Sequence, residues 1–209
     1  MKPATFFHAL ILLSTKHLLF SEATVDDTLV YDREGNQLQK HASYFISPPI
    51  RGPLGDSVTL ATPIGENQTC TEADVVQVFL NYAPSTPFTF TPVALNEDVV
   101  KLRYPLAIQS TESPCDGSTV WKVSSRTGVV SGNIITTGGV INTPSSCLRI
   151  TKPQEPKFQN SYMFEYCPNL CGAAPKICLP IGNSMGHLSP NGEPFEFVLD
   201  KASESAAIV

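Results

Sequence analysis

The sequence predicts an all-β fold held by disulfide bonds, and three observations carry this prediction. Apolar and β-branched residues occur in about a dozen short runs, separated by turn signals roughly every 8–12 residues, which is typical of a β-sandwich or a β-barrel. Eighteen prolines and a charged fraction of 16% disfavour long helices. Six cysteines, an even number, are typical of a disulfide framework in a secreted chain. So many strands in one small domain favour a barrel capped by hairpins, although periodicity alone does not separate a barrel from a sandwich.

Short strands are predicted along the whole chain, beginning with a hairpin. Residues 28–32 form its first strand, and Leu38 together with residues 43–46 forms the return strand. Gly35 suits the turn between them, because glycine takes a positive φ without steric cost. Further strands are predicted over residues 57–60, 73–80, 99–103, 106–109, 120–123, 133–136, 148–150, 162–166, 179–181 and 194–199.

The N-terminus has the layout of a secretory signal peptide. Lys2 precedes an apolar run at residues 6–13, which resumes at residues 18–20 and is too short to span a bilayer. The tripeptide at residues 21–23, Ser-Glu-Ala, places small residues two apart, as signal peptidase requires. We therefore expect cleavage after Ala23.

Cleavage there divides the chain into a signal peptide at residues 1–23 and one domain at residues 24–209, of which about 201–209 form a loose tail. The expected location is outside the cell, because such a leader directs the chain into the secretory route. The mature chain has a formal charge of about −6, because the leader contributes +1 to the total of −5. An acidic chain without a basic run or a second long apolar segment argues against nucleic-acid and membrane partners.

Asn67, in the sequon Asn-Gln-Thr, is a predicted glycosylation site.

Half of the cysteines lie within one segment of twelve residues, 167–178, between two predicted strands. Zinc usually requires two close pairs of cysteines, or cysteines with suitably spaced histidines. Here the cysteines are separated by three and six residues, and the segment contains no histidine. A disulfide-braced loop therefore fits the segment better than a metal site. We expect no metal and no cofactor, because the chain also has no glycine-rich phosphate loop.

Residues 182–186 match the nucleophile-elbow pattern G-x-S-x-G, with Ser184 at its centre and His187 beside it. An elbow needs a strand before the serine and a helix after it, and residues 188–192 predict a turn instead. A triad histidine also normally comes from a distant segment. We therefore predict that the protein is not an enzyme.

The motif VYDREGNQL at residues 30–38, followed after five residues by YFI at residues 44–46, resembles the N-terminal signature of the plant Kunitz protease inhibitors, the soybean-trypsin-inhibitor family. The likeness extends over essentially the whole mature chain, and it includes Cys70, Cys115, residues 120–123, residues 167–168 and residues 195–198. The resemblance implies a β-trefoil, that is, a six-stranded barrel capped by hairpins with twelve short strands. It also implies secretion, with the apoplast or the vacuole as the location, and inhibition of a protease by a surface loop.

The resemblance further implies the bridges Cys70–Cys115 and Cys167–Cys178. Cys147 and Cys171 then remain. Relatives place a further cysteine shortly after the equivalent of Cys171, where this chain has Gly-Ala-Ala, and an aromatic residue at the equivalent of Cys147. The loss of one cysteine and the gain of another predict a Cys147–Cys171 bridge.

The loop equivalent to the family's reactive loop is residues 87–92, PFTFTP. Alignment places Thr89 before the scissile bond and Phe90 after it, and a slip of one residue makes Phe88 or Phe90 the anchor for an apolar specificity pocket. The family braces this loop with an asparagine, and Lys40, which stands at that position, has no carbonyl to accept hydrogen bonds. The alternating aromatic residues also fit an ordinary strand.

The second candidate for the reactive loop is Lys176-Ile177, within the cysteine-rich segment. Lys176 suits the acidic pocket of a trypsin-like enzyme, and Ile177 would follow the scissile bond. Pro175 restricts φ, while Cys171 and Cys178 fix both flanks, so the loop is ordered before it binds. The plainer alternative is a solvated lysine in a disulfide loop.

These expectations combine into one prediction: a secreted, monomeric inhibitor whose partner is a protease, most simply a serine endopeptidase. The alternative is a storage or binding protein on the same scaffold without inhibitory activity, because a fold does not fix its function.

Overall fold

The computed structural model describes residues 27–50, 57–63, 70–77, 85–93, 96, 98–127, 132–174 and 176–202. The all-β prediction is confirmed, since these residues form fourteen short strands and two 3-10 turns, without an α-helix among them. The 3-10 turns are Pro144–Ser146 and Pro168–Cys171. The strands are β1 (Ser43–Ser47), β2 (Val58–Ala61), β3 (Asp74–Gln77), β4 (Phe88–Pro92), β5 (Leu106–Ser110), β6 (Lys122–Arg126), β7 (Gly132–Thr136), β8 (Leu148–Thr151), β9 (Met163–Tyr166), β10 (Leu179–Pro180), β11 (Gly182–Ser184), β12 (His187–Ser189), β13 (Glu193–Pro194) and β14 (Val198–Lys201).

Two antiparallel sheets contain all of these strands. The first has the order β10-β9-β8-β5-β4-β1-β14, so the last strand of the chain pairs with the first. The second has the order β13-β11-β12-β3-β7-β6, and β2 pairs with β3 beside it. Within the first sheet β4 is an interior strand, with β1 on one side and β5 on the other.

Both sheets contribute to one hydrophobic core, in which aromatic side chains link distant parts of the chain. The ring of Trp121 meets Phe88 edge-on at 5.0 Å and Phe164 at 5.9 Å. Phe164 in turn stacks on Phe197 at 4.0 Å. All four side chains are essentially inaccessible to water. Burying one such ring contributes about 1.5–3 kcal/mol, so this cluster is a major part of what holds the fold together.

The predicted first hairpin is present only at its turn, because its predicted return strand at residues 43–46 lies in β1, which pairs with β14 and β4 and not with residues 28–32. Tyr31 bridges Gln37, and the carboxylate of Asp32 accepts hydrogen bonds from the backbone N–H groups of Glu34 and Asn36. Gly35 has a φ of 87°, the positive value expected from its place in the turn. The local turn chemistry of the motif is therefore satisfied as the sequence predicts.

The C-terminus differs from the prediction in two ways. The predicted strand at residues 194–199 is divided into β13, a bridge at Phe197 and the beginning of β14. Lys201 is not part of a loose tail: it pairs with Tyr44, because β14 continues along β1 to its end. The remainder of the predicted tail, residues 203–209, lies outside the described residues, as do the predicted signal peptide and Asn67. None of the described helical turns is long and apolar enough to cross a membrane.

Candidate functional site

All six cysteines are paired. The bridges are Cys70–Cys115, Cys147–Cys171 and Cys167–Cys178. The third pairing, which rested on parity alone, is therefore confirmed together with the other two. Two of the three bridges meet at the segment 167–178, which we call the braced loop.

The braced loop leaves the first sheet at the end of β9 and returns to it at β10. Both of its sulfur anchors reach the interior, because Cys147 and Cys167 are fully buried. These two residues are also joined directly, since the N–H of Cys167 donates to the carbonyl of Cys147 at 2.9 Å. The loop is thus fixed at two neighbouring points in the core by covalent bonds.

Between the two bridges the chain is ordered by its own backbone. Pro168 begins the 3-10 turn, where its missing N–H is not needed and its fixed φ is suitable. Gly172 ends the turn with a φ of 98°, a left-handed conformation that favours glycine. The N–H of Ala173 then donates to the carbonyl of Pro168 at 3.1 Å. This turn directs the following residues away from the core.

The tip of the braced loop presents side chains to solvent. Lys176 and Ile177 are both exposed, Ile177 by 46%, while Cys178 between Ile177 and Leu179 is half-buried. Leu179, two residues after Ile177, is exposed by 37%. Across the part of the chain that the structure describes, the ammonium of Lys176 forms no ion pair. Pro175 lies outside the described residues.

Beside the braced loop, Tyr166 pairs with Leu179, and burial raises the pKa of its phenol. The hydroxyl therefore stays protonated and neutral at physiological pH. It adds no charge near Lys176, so the lysine is the charged group at the tip of this loop.

A cluster of potential metal ligands lies at the base of the braced loop, formed by Glu165, Cys167 and Cys178. Both sulfurs are bonded to each other, and a metal requires free thiolates. Glu165 is also engaged, because Arg149 donates to its carboxylate at 2.6 Å. The cluster is therefore a structural junction and does not supply a metal site while the bridge is intact.

The prediction that Phe88, Thr89 and Phe90 form a reactive loop is wrong. They lie in β4, the interior strand, and the exposed fractions of their side chains are 0%, 9% and 0%. Both phenyl rings pack in the aromatic core. The residue before a scissile bond must enter the specificity pocket of the protease. These side chains instead lie in the core of their own protein.

Upstream of β4, Ser85 is exposed, while Thr86 and Pro87 are half-buried. The hydroxyl of Thr86 pairs with that of Thr59 at 2.8 Å, and the carbonyl of Pro87 accepts from the N–H of Thr111 at 3.2 Å. Residues other than the expected asparagine therefore hold this entry to the strand.

Lys40 does not replace the family's asparagine in that role. Its N–H donates to the carbonyl of Asp98, and its side chain has no hydrogen bond to residues 85–87 in the described part of the chain. The two threonines that hold the segment are 27 residues apart in sequence, so no local pattern identifies them.

The nucleophile-elbow pattern folds as a hairpin. Ser184 in β11 pairs with His187 in β12 across a turn formed by Met185 and Gly186, which have φ values of 51° and 89°. No side-chain hydrogen bond joins Ser184 to His187 among the residues described. The Nε2 atom of His187 instead lies 3.4 Å from a carboxylate oxygen of Asp74. An elbow needs a helix at this point, so the geometry gives Ser184 no activation.

The sequence model of the Kunitz legume family, described as "Trypsin and protease inhibitor", matches residues 30–201 of this chain. The chain belongs to the Kunitz legume family. This Kunitz protein has the β-trefoil fold of its relatives, with three disulfides.

Three relatives show how close the similarity is. The "21 kDa seed protein" of Theobroma cacao is 29% identical over 191 residues, which is 87% of this chain and 83% of that protein. The Kunitz-type cysteine protease inhibitor PCPI-3 from potato is 27% identical with a TM-score of 0.69, and the match covers 84% of this chain and 98% of the potato chain. Alocasin, a protease inhibitor from Giant Taro (Arum macrorrhizon), is 28% identical with a TM-score of 0.68, over 84% and 99% of the two chains.

Proposed function

We propose that this Kunitz protein inhibits a trypsin-like serine endopeptidase through the Lys176-Ile177 bond at the tip of the braced loop. The observation that carries the proposal is the combination of exposure and restraint: two exposed residues lie between Cys171 and Cys178, both of which are bonded to buried cysteines. Lys176 fits an acidic specificity pocket, and Ile177 follows it on the exposed side.

Restraint matters because binding has an entropic cost. An extended loop that is mobile in the free protein loses that freedom on docking, whereas a pre-ordered loop has little to lose. The two bridges and the 3-10 turn provide this order before any protease arrives. Lys176 has no ion-pair partner among the described residues to give up, so transfer into an acidic pocket breaks no internal salt bridge.

We also propose that the protein is secreted and acts as a monomer. Support comes from the three disulfides, which persist in oxidising compartments and are rare in the cytosol. N-terminal sequencing of the mature protein tests cleavage after Ala23, and treatment with a glycosidase tests modification of Asn67. Sedimentation equilibrium of the purified protein tests the monomer.

The experiment on function is an inhibition assay against serine, cysteine and aspartic proteases, followed by the variant Lys176→Ala. Loss of a charged anchor in a specificity pocket is expected to weaken trypsin inhibition at least about 100-fold. Lys157→Ala is the matched control, because Lys157 is also an exposed lysine but lies outside the braced loop. An equal loss in both variants, or trypsin inhibition that Lys176→Ala leaves intact, contradicts the proposed site.

The alternative function is storage or binding without inhibition. The observation that favours it is the burial of β4, which removes the family-equivalent segment from the surface, together with a relative known as a seed protein. A protein that leaves every protease of the panel fully active supports this alternative. Inhibition of cysteine proteases alone, unaffected by Lys176→Ala, assigns inhibition to another surface of the protein. The potato relative is named as an inhibitor of cysteine proteases, so this class belongs in the panel.

A further inference from the structure

A cleft of about 370 Å³ lies outside the braced loop, and three of its five lining residues are charged. It is formed by Asp27, Thr28, Leu102, Arg103 and Lys152. Three separate parts of the chain therefore meet there. The braced loop follows β9 after Tyr166, the residue paired with Leu148, whereas Lys152 follows Thr151 at the other end of β8. The cleft and the braced loop thus lie at opposite ends of the β8–β9 pair.

The walls of the cleft are fixed by main-chain hydrogen bonds. The N–H of Leu102 donates to the carbonyl of Thr28 at 2.7 Å, and the N–H of Arg103 donates to the carbonyl of Ile150 at 2.8 Å. These bonds join all three parts of the lining, since Ile150 lies two residues before Lys152. A site held in this way is formed before its ligand arrives, which favours binding.

Arg103 has a backbone conformation that arginine seldom adopts. Its φ is 65°, in the left-handed region where a Cβ atom meets steric hindrance. Its side chain is exposed and forms no hydrogen bond or ion pair within the described part of the chain. A strained residue that presents an unused guanidinium to a cleft is a reason to look for a ligand.

Lys152 supplies the second positive charge. Its ammonium donates to the carbonyl of Gln159 at 3.2 Å and lies 5.8 Å from the centre of the Tyr162 ring, so the side chain is held in place. An ammonium has three donors, which leaves two for a ligand. No ion pair joins Asp27 to Arg103 or Lys152 in the residues described, so both cations remain available.

We propose that this cleft binds a small acidic sugar, that is, a hydroxylated ring bearing one phosphate, sulfate or carboxylate group. Arg103 offers a planar fork and Lys152 a point charge, a pair that suits such an anionic group. The carboxylate of Asp27 repels an anion but accepts hydrogen bonds from hydroxyl groups, so it selects the body of the ligand. The volume is within the range of small-molecule sites.

The experiment is isothermal titration of the full chain, at fixed ionic strength, with glucose 6-phosphate, galacturonate, neutral glucose and inorganic phosphate. Both acidic sugars are expected to bind more tightly than glucose and than inorganic phosphate. Loss of the guanidinium in Arg103→Gln is expected to weaken this binding about 10-fold or more. Lys152→Gln tests the second cation if the first variant does not fold, which circular dichroism shows.

Lys176→Gln is the control, because it removes one positive charge from the braced loop, at the other end of the β8–β9 pair. It should leave sugar binding unchanged, and Arg103→Gln should leave protease inhibition unchanged. Equal weakening by Arg103→Gln and Lys176→Gln, inorganic phosphate bound as tightly as glucose 6-phosphate, or no heat from either acidic sugar overturns the proposal. Sugar binding and protease inhibition are measured separately. Absence of sugar binding therefore leaves the proposed inhibition standing, and absence of inhibition leaves the proposed sugar site standing.

Discussion

The segment Phe88–Pro92 and the braced loop both qualified from sequence as the part that meets a protease, and the structure separates them sharply. The first is an interior strand whose aromatic side chains are sealed in the core. The second extends from the edge strand β10 and presents Lys176 and Ile177 to solvent. Both segments are restrained, the first by strand pairing and the second by disulfides, but only the second is accessible as well.

The two segments achieve their order by different means. In β4 the backbone is ordered by pairing with strands on both sides, and four of its five side chains are buried. In the braced loop the order comes from two sulfur bridges and one 3-10 turn, which leave the side chains at the tip unused. Covalent restraint therefore gives the stiffness of a sheet to residues that remain free to contact another molecule.

The largest expected effect is on stability, and it belongs to β4. Phe90→Ala should lower the free energy of unfolding by about 3–5 kcal/mol, because it leaves a cavity among Tyr44, Phe164 and their neighbours. Ile177→Ala should change it by no more than about 0.5 kcal/mol, since that side chain is exposed. Urea denaturation of both variants measures the difference. Similar losses would remove the contrast between the two segments.

The next effect concerns the bridges. Replacing Cys147 and Cys171 together by serine should destabilise the protein by about 3 kcal/mol, through the entropy of the unfolded chain, and should also weaken inhibition. The double replacement of Cys70 and Cys115 is the matched control, with a comparable expected loss of stability but no contact with the braced loop. Denaturation and inhibition constants are measured for both. Inhibition weakened equally in both would mean that general destabilisation is responsible.

A smaller effect is expected at Leu179, which lies two residues after Ile177 and is also exposed. Leu179→Ala should weaken protease binding by about 1 kcal/mol, or roughly fivefold, because peripheral apolar contacts contribute less than the anchor. Phe158→Ala, which removes a side chain of similar exposure outside the braced loop, should have no effect on the inhibition constant. The reverse order of these two effects would place the contact surface elsewhere.

The smallest effect is one of pH and concerns both segments. Burial raises the pKa of Tyr44, whose ring packs against Phe90, and of Tyr166, beside the braced loop. A phenol with a folded pKa above its unfolded value of about 10 stabilises the fold fully below pH 10 and loses that contribution as the pH rises through the folded pKa. The free energy of unfolding should therefore fall at alkaline pH, with a shallower fall in Tyr166→Phe. An unchanged slope in that variant would contradict the assignment.

Local chemistry in the sequence was enough to predict much of the fold. The turn at Gly35 and the all-β class follow from patterns of nearby residues, whereas two of the cysteine pairings follow from the family resemblance and the third from parity. The burial of Phe88 and Phe90 could not be decided in the same way. An alternating segment between prolines becomes a loop or a core strand according to partners such as β1 and β5, which lie far away in sequence.

Of the candidate site, the sequence predicts the local features but not the contacts between segments that are far apart in the chain. The braced loop is a local feature, with its cysteines close together, so its exposed tip could be proposed from residues 167–178 alone. The contact of Thr86 with Thr59 and the cleft at Arg103 each join segments remote in sequence. Nothing near Arg103 in the chain indicates its left-handed backbone or the hydrogen bond from its N–H to the carbonyl of Ile150.

The two bridges of the braced loop also determine what happens if the bound enzyme succeeds in hydrolysing the bond between Lys176 and Ile177. The new carboxyl end stays tied through Cys171 to Cys147, and the new amino end through Cys178 to Cys167. Neither end can diffuse away, so the nicked molecule keeps both product termini side by side in the cleft of the enzyme. Religation then competes with release, and cutting does not by itself free the protease.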